Sequence, residues 1–243
     1  MSDPHPARDR YVDLLMGCLT RERFLDEEEV DPAIRAEGRD WPRTAETMVG
    51  GARLANVRHA VETVLADEVP GDLIETGVWR GGVTILMRGI LEAWGDPDRR
   101  VWVADSFEGL PAPDVETYPA DEGHDLSGVP TLMVGADIVR ANFERYDLLD
   151  DRVRFLEGWF ADTLPTAPID QLAVLRLDGD LYESTMDALR PLYDRVSPGG
   201  FVIVDDYGAW EPCRQAVDEF RAERGITDEI IEVDWTGVYW RKS

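Results

Sequence analysis

Two apolar runs that stop abruptly at paired acids constrain this chain more than any other feature. Leu172-Ala173-Val174-Leu175-Arg176-Leu177 ends in Asp178-Gly179-Asp180, and Phe201-Val202-Ile203-Val204 ends in Asp205-Asp206. Short apolar runs bounded by turn residues read as strands buried on both faces. Two such strands ending alike point to one acidic site built at two strand ends. Oxygen-rich sites of that kind suit hard cations such as Mg²⁺.

The rest of the pattern supplies the sheet around them. Asp72–Thr76, Val101–Ala104 and Val153–Leu156 read as further strands, and Ile230–Val233 and Val238–Arg241 as a closing hairpin through Thr236-Gly237. Helices are predicted over 83–93, 183–195 and 212–224, the last with Pro212 near its start, where the ring is tolerated. Pro198-Gly199-Gly200 reads as the turn into the strand 201–204. Strands alternating with helices predict an α/β fold: a mostly parallel sheet of seven strands with helices on both faces. Residues 11–65 read as helical, from Tyr11, Leu14, Leu15 and Leu19 and again from Leu54, Val57, Val61, Val64 and Leu65, and are expected to form an N-terminal cap. An acidic stretch, 26–31, and Trp41-Pro42 lie between those two periodic segments. The 110–139 segment is rich in Pro, Gly and Asp and too long for a plain connection, which suggests a lid or substrate loop.

In parallel α/β sheets ligands bind beyond the carboxyl ends of the strands. Glu75, Asp105, Asp178 and Asp205 all stand there. Glu75-Thr76-Gly77-Val78-Trp79-Arg80-Gly81-Gly82 joins a strand to a helix through a glycine loop, and Gly77 lets a ligand approach the backbone closely. It is neither a dinucleotide GxGxxG nor a phosphate-binding loop with Gly-Lys-Ser/Thr. The pattern resembles the first loop of class I S-adenosylmethionine methyltransferases; a glycine turn without a ligand is the plainer alternative. Asp105 after the second strand suits ribose hydroxyls, or a helix cap. Asp178, Asp180, Asp205 and Asp206 cannot all be ionised at close range without a cation, because like charges raise one another's pKa. The plainer alternative makes them helix N-caps.

Charge and cysteine content narrow the field. Acids outnumber Lys and Arg 50 to 25, a net charge of −25. Such a chain is repelled by nucleic acid and by anionic membranes, so neither is expected as a partner. Cys18 and Cys213 give neither a metal motif nor a disulfide framework. The polar N-terminus and the lack of a run of about 18 apolar residues make a cytoplasmic location the default expectation.

The blocks 71–82, Val103-Ala104-Asp105-Ser106-Phe107-Glu108-Gly109, 158–165 (Gly-Trp-Phe-Ala-Asp-Thr-Leu-Pro), 177–182 and 198–207 together resemble the macrocin O-methyltransferase (TylF/MycF/NovP) family, over a span from about Tyr11 to the C-terminus. The resemblance implies a class I methyltransferase, Rossmann-like core over 70–243 and a helical cap or substrate lid over 1–69, in one integrated domain. It implies methylation of a deoxysugar hydroxyl on a natural product, with S-adenosylmethionine and Mg²⁺, by a dimer or larger homo-oligomer. It implies metal ligation by Asp178, Asp205 and Asp206, with Asp180 as general base. Glu75, Gly77, Asp105 and Ser106 would bind the cofactor, with Gly158, Trp159 and Asp162 near its adenine. The N-terminal segment, with Trp41 and Met48, would fold over the two ligands, Met48 on the cofactor side and Trp41 toward the substrate. His124 in the long loop is a candidate substrate contact, whereas His59 reads as structural. An aromatic or other non-glycosidic hydroxyl is the alternative acceptor, and a non-catalytic S-adenosylmethionine binder the alternative role. A DxD phosphatase is a poorer reading, because that motif normally follows the first strand.

Overall fold

The computed structural model describes residues 5–27 and 30–243; residues 28 and 29 of the acidic stretch, and the first four, lie outside the described residues. The helices are α1 (Pro6–Leu19), α2 (Pro32–Glu37), α3 (Gly51–Ala66), α4 (Gly82–Trp94), α5 (Ala136–Arg145), α6 (Phe160–Thr163), α7 (Tyr182–Leu192) and α8 (Glu211–Arg224). The strands are β1 (Asp72–Thr76), β2 (Val101–Asp105), β3 (Val153–Glu157), β4 (Leu172–Leu177), β5 (Val196–Val204), β6 (Ile231–Glu232) and β7 (Val238–Arg241). They form one seven-stranded sheet in the order β3-β2-β1-β4-β5-β7-β6. β1 to β5 are mutually parallel, and β7 runs antiparallel to β5 and β6. The order reverses between β1 and β4, which is where an open α/β sheet leaves a crevice for a ligand.

Because strand side chains alternate, the two sheet faces bury different sets. Leu73, Val174, Phe201 and Ile203 pack with α1, α3, α4 and α5 in one core; Ile74, Leu175, Leu177, Val202 and Val204 pack with α7 and α8 in the other. α1 and α3 thus share the first core with the sheet. Among the described residues no helix is long and apolar enough to cross a membrane.

Three local expectations are corrected. The run 11–65 is not continuously helical: Gly38 takes a left-handed φ of +63° at the end of α2, and 38–50 continues as a non-helical strap, bent at 40, 43, 44 and 46, past Trp41-Pro42 to Gly50. A residue before proline is biased away from helix. Pro198-Gly199-Gly200 is not a turn between elements but lies inside β5, where the register against β4 shifts between Leu172 and Val174. The long loop ends earlier than 139, because α5 begins at Ala136.

Candidate active site

The loops leaving β1, β2, β4 and β5 converge at one end of the sheet. Gly77 opens the first of them at a φ of +84°, and a Cβ there would lie 1.7 Å from the Asp178 carbonyl oxygen. The close approach this glycine permits is therefore that of the β4 exit loop. Asp105 ties the β2 exit to the Gly77 loop after β1: its carboxylate accepts from the Val78 amide at 2.7 Å and the Phe107 amide at 2.8 Å. The Ser106 hydroxyl donates to the Gly109 carbonyl at 2.8 Å. Trp79, Phe107 and Asp180 all have positive φ without being glycine, the kind of strained backbone that gathers at functional sites.

Sheet register and alternation explain the acids. Glu75 pairs with Arg176 and Arg176 with Ile203 across the parallel ladder. Asp178 and Asp205 each stand two residues beyond a member of that row, so they extend the same face. An oxygen from each of Asp178, Asp205 and Asp206 lies within 4.8 Å of the others. The Asp180 amide donates to Asp206 Oδ2 at 3.2 Å. Beneath them Arg176, fully buried, donates to Glu75, to Asp205 and, at 2.7 Å, to Asp178. Arg53 from α3 donates to the other oxygen of Asp205, to Asp234 at 3.0 Å and to the Gly38 carbonyl at 3.2 Å.

The charges are only partly compensated. Burial, then Asp205, raises Asp178 to about 6. Burial, then Asp178 and Asp205, raises Asp180 to about 7. Burial and then Asp180 push Asp206 well up. Burial works against Asp205 too, but the charges of Arg176 and Arg53 carry it below the usual carboxylate range. Burial lifts Glu75 to about 8 against the pull of Arg176, and its Oε2 is buried without a partner.

The acids and Arg53, but not Arg176, line a cavity of about 530 Å³, within the range of small-molecule sites. Of the residues singled out from sequence, Trp41, Met48, Glu75, Gly77, Asp105, Ser106, Trp159, Asp162, Asp178, Asp180, Asp205 and Asp206 line it. Gly158 and His124 are not among its lining residues. Gly158 follows the end of β3, with a φ of +140°. His124 meets the ring of Trp210 edge-on, centroids 5.7 Å apart, and only Trp210 reaches the cavity. Trp79 and Trp235 line it as well, beside Trp41, Trp159 and Trp210. The strap over one side is held by Arg80, whose Nη1 donates to the carbonyls of Pro42, Arg43 and Ala45 at 3.2, 3.0 and 2.9 Å.

Sequence reasoning passed over Arg53, Arg176 and Asp121. A charge inside an apolar strand was the available signal for Arg176. Asp121, buried in the long loop, accepts from the Tyr182 and Glu183 amides at 2.7 and 3.1 Å and so caps α7 from outside. Nothing in its sequence neighbourhood marks that role.

The residues present fit both groups the sequence implied. Three carboxylates with no nitrogen or sulfur donor suit a hard divalent cation. The unpartnered Glu75 oxygen suits a cationic ligand beside the glycine loop. A model of the macrocin O-methyltransferase family (TylF) matches residues 8–242. The chain is 57 % identical over 246 residues to an 8-demethyl-8-(2,3-dimethoxy-α-L-rhamnosyl)-tetracenomycin-C 4'-O-methyltransferase of Streptomyces olivaceus, a match covering 97 % of this chain and 93 % of the relative. It is 51 % identical to a mycinamicin III 3''-O-methyltransferase of Micromonospora griseorubida, over 93 % of this chain and 88 % of the relative. The solved structure of the O-methyltransferase NovP superposes with a TM-score of 0.94 at 54 % identity, over 97 % of this chain and 99 % of that one. The Rossmann-like α/β fold is that of class I O-methyltransferases.

Proposed function

The chain belongs to the macrocin O-methyltransferase (TylF) family, and we propose that it moves a methyl group from S-adenosylmethionine to a deoxysugar hydroxyl of a glycosylated natural product, with Mg²⁺, in antibiotic biosynthesis. The observation that carries this reading is the shared cavity. Glu75 and Asp105 line it beside the glycine loop, and Asp178, Asp205 and Asp206 line it too, with three oxygens within 4.8 Å of one another.

Glu75 would take the cationic amino end of the cofactor on its free oxygen. Asp105, fixed by two backbone amides, would present its remaining lone pairs to the ribose, and Trp159 and Asp162 would flank the adenine. Asp178, Asp205 and Asp206 would hold the cation. When bound, Mg²⁺ supplies a Lewis acid that lowers the pKa of a sugar hydroxyl and fixes its position. Asp180, which the cation set leaves free, would accept the hydroxyl proton as the oxygen attacks the methyl carbon and the carbon–sulfur bond breaks. The donor is already activated, so what the protein adds is chiefly in-line placement. The strap with Trp41 and Met48 would cover both ligands and exclude water.

The test is methyl transfer from labelled S-adenosylmethionine to rhamnosylated tetracenomycin and mycinamicin acceptors, the kinds of glycoside named for the two relatives. Methylated sugar and loss of rate in excess EDTA are expected. Full activity in excess chelator would overturn the metal, and transfer only to free phenols would overturn the sugar.

A further inference from the structure

Arg176 is a charged residue in an otherwise apolar β4, and its guanidinium does not line the cavity. It lies under the floor. Nη1 donates both to Glu75 and to Asp178, and Nη2 donates to Asp205. One planar fork therefore touches the acid assigned to the cofactor and two of the three assigned to the cation. A hydrophobic side chain would serve the packing of β4 equally well or better, because burying a charge is expensive. What it would not do is bridge three carboxylates from β1, β4 and the end of β5. Lysine, a point charge on a flexible stem, cannot reproduce that fork either.

We infer that Arg176 is a positioning residue that couples the two ligand sites, so that a change at Glu75 is felt at the cation site. The inference rests on the proposed roles of Glu75 and of Asp178, Asp205 and Asp206. With Glu75 ionised, the guanidinium is shared among three carboxylates. Neutralise Glu75, and the same guanidinium leans wholly on Asp178 and Asp205, where it competes with a cation for their oxygens. Glu75→Gln should therefore weaken cation binding although Glu75 is not in the ligand set. Simple loss of a nearby negative charge would act in the same direction, but that effect needs no arginine and would persist without it.

The experiment is Mn²⁺ binding followed by electron paramagnetic resonance, on the full-length protein without cofactor, under argon at a pH above the value of about 8 to which burial lifts Glu75, so that Glu75 carries its charge. It compares the parent, Glu75→Gln, Arg176→Met and the double variant. Glu75→Gln should weaken Mn²⁺ binding about fivefold or more in the parent, the low end of measured couplings between sites, and less than about twofold in the Arg176→Met background. Equal ratios in the two backgrounds, or no effect of Glu75→Gln in the parent, would overturn the coupling and leave the cation reading standing. A parent that binds no Mn²⁺ would overturn the cation reading, and this inference with it. If circular dichroism shows Arg176→Met unfolded, Arg176→Lys closes the same cycle, since it retains charge and loses the fork.

Discussion

At the scale of single residues the site is a set of acids sorted by their neighbours. Asp205 is held between two guanidiniums, whereas the charged groups that act on Asp180 are Asp178, Asp205 and Asp206, and it lines the cavity. That difference separates a fixed ligand from a mobile-proton acceptor. Asp180→Asn should lower kcat by about 10²–10⁴-fold, the range for loss of a general base. Its affinity for S-adenosylhomocysteine, measured calorimetrically, should stay close to the parent's. An unchanged kcat would remove Asp180 from the mechanism. Gly77→Ala tests the floor. Its Cβ would meet the Asp178 carbonyl oxygen at 1.7 Å, in a backbone conformation at φ +84° that alanine disfavours. Overpacking of this kind costs about 1–3 kcal/mol and left-handed backbone about 1–2 more, so the urea midpoint should fall and Asp178 should be displaced. A midpoint equal to the parent's would mean that the two loops separate freely. The acids were legible because each ends an apolar strand at period two. Arg176 hid inside such a strand, and Arg53 sat in the apolar stripe of α3, where a buried cation leaves no pattern.

Elements were legible where apolar spacing was strong and lost where polar contacts do the work. α4 buries a long, mostly apolar run and α7 an amphipathic stripe of Met186, Ala188, Leu189 and Leu192, and both stand out in the sequence. α5 does not: its buried residues are Val139, Asn142 and Phe143, and Asn142 is there to donate to the Arg80 carbonyl at 2.9 Å. The long loop likewise has no periodicity, yet Asp121 anchors it to the first turn of α7, next to Asp180. A carboxylate accepting two helix N-terminal amides does the work of an N-cap from a distant segment. Asp121→Ala leaves both amides unsatisfied, so it should cost about 1–3 kcal/mol. Asp125→Ala, on the exposed part of the same loop, should leave the chemical-denaturation midpoint unchanged. Equal midpoints for both variants would show that the loop is not held at Asp121.

At the scale of the whole molecule the acidic site sits in an acidic protein, and the two effects of a cation must be told apart. With a net charge of −25 the folded chain repels itself, and any salt relieves part of that repulsion by screening. A bound cation acts differently, because it stabilises only the state in which Asp178, Asp205 and Asp206 are brought together. Free Mg²⁺ at about a hundred times its Kd adds about 2.7 kcal/mol, which for a chain of this size raises Tm by about 5–10 °C. Sodium chloride of equal ionic strength should give a smaller rise. Asp206→Asn separates the terms further. It removes an acid held in repulsive company by Asp180 and Asp178, so its Tm without Mg²⁺ should equal or exceed the parent's, while the extra rise with Mg²⁺ disappears. Equal increments from the two salts in the parent, measured by calorimetry, would mean that the acids respond only to screening. In that case the charge that holds them together comes from Arg53 and Arg176 alone.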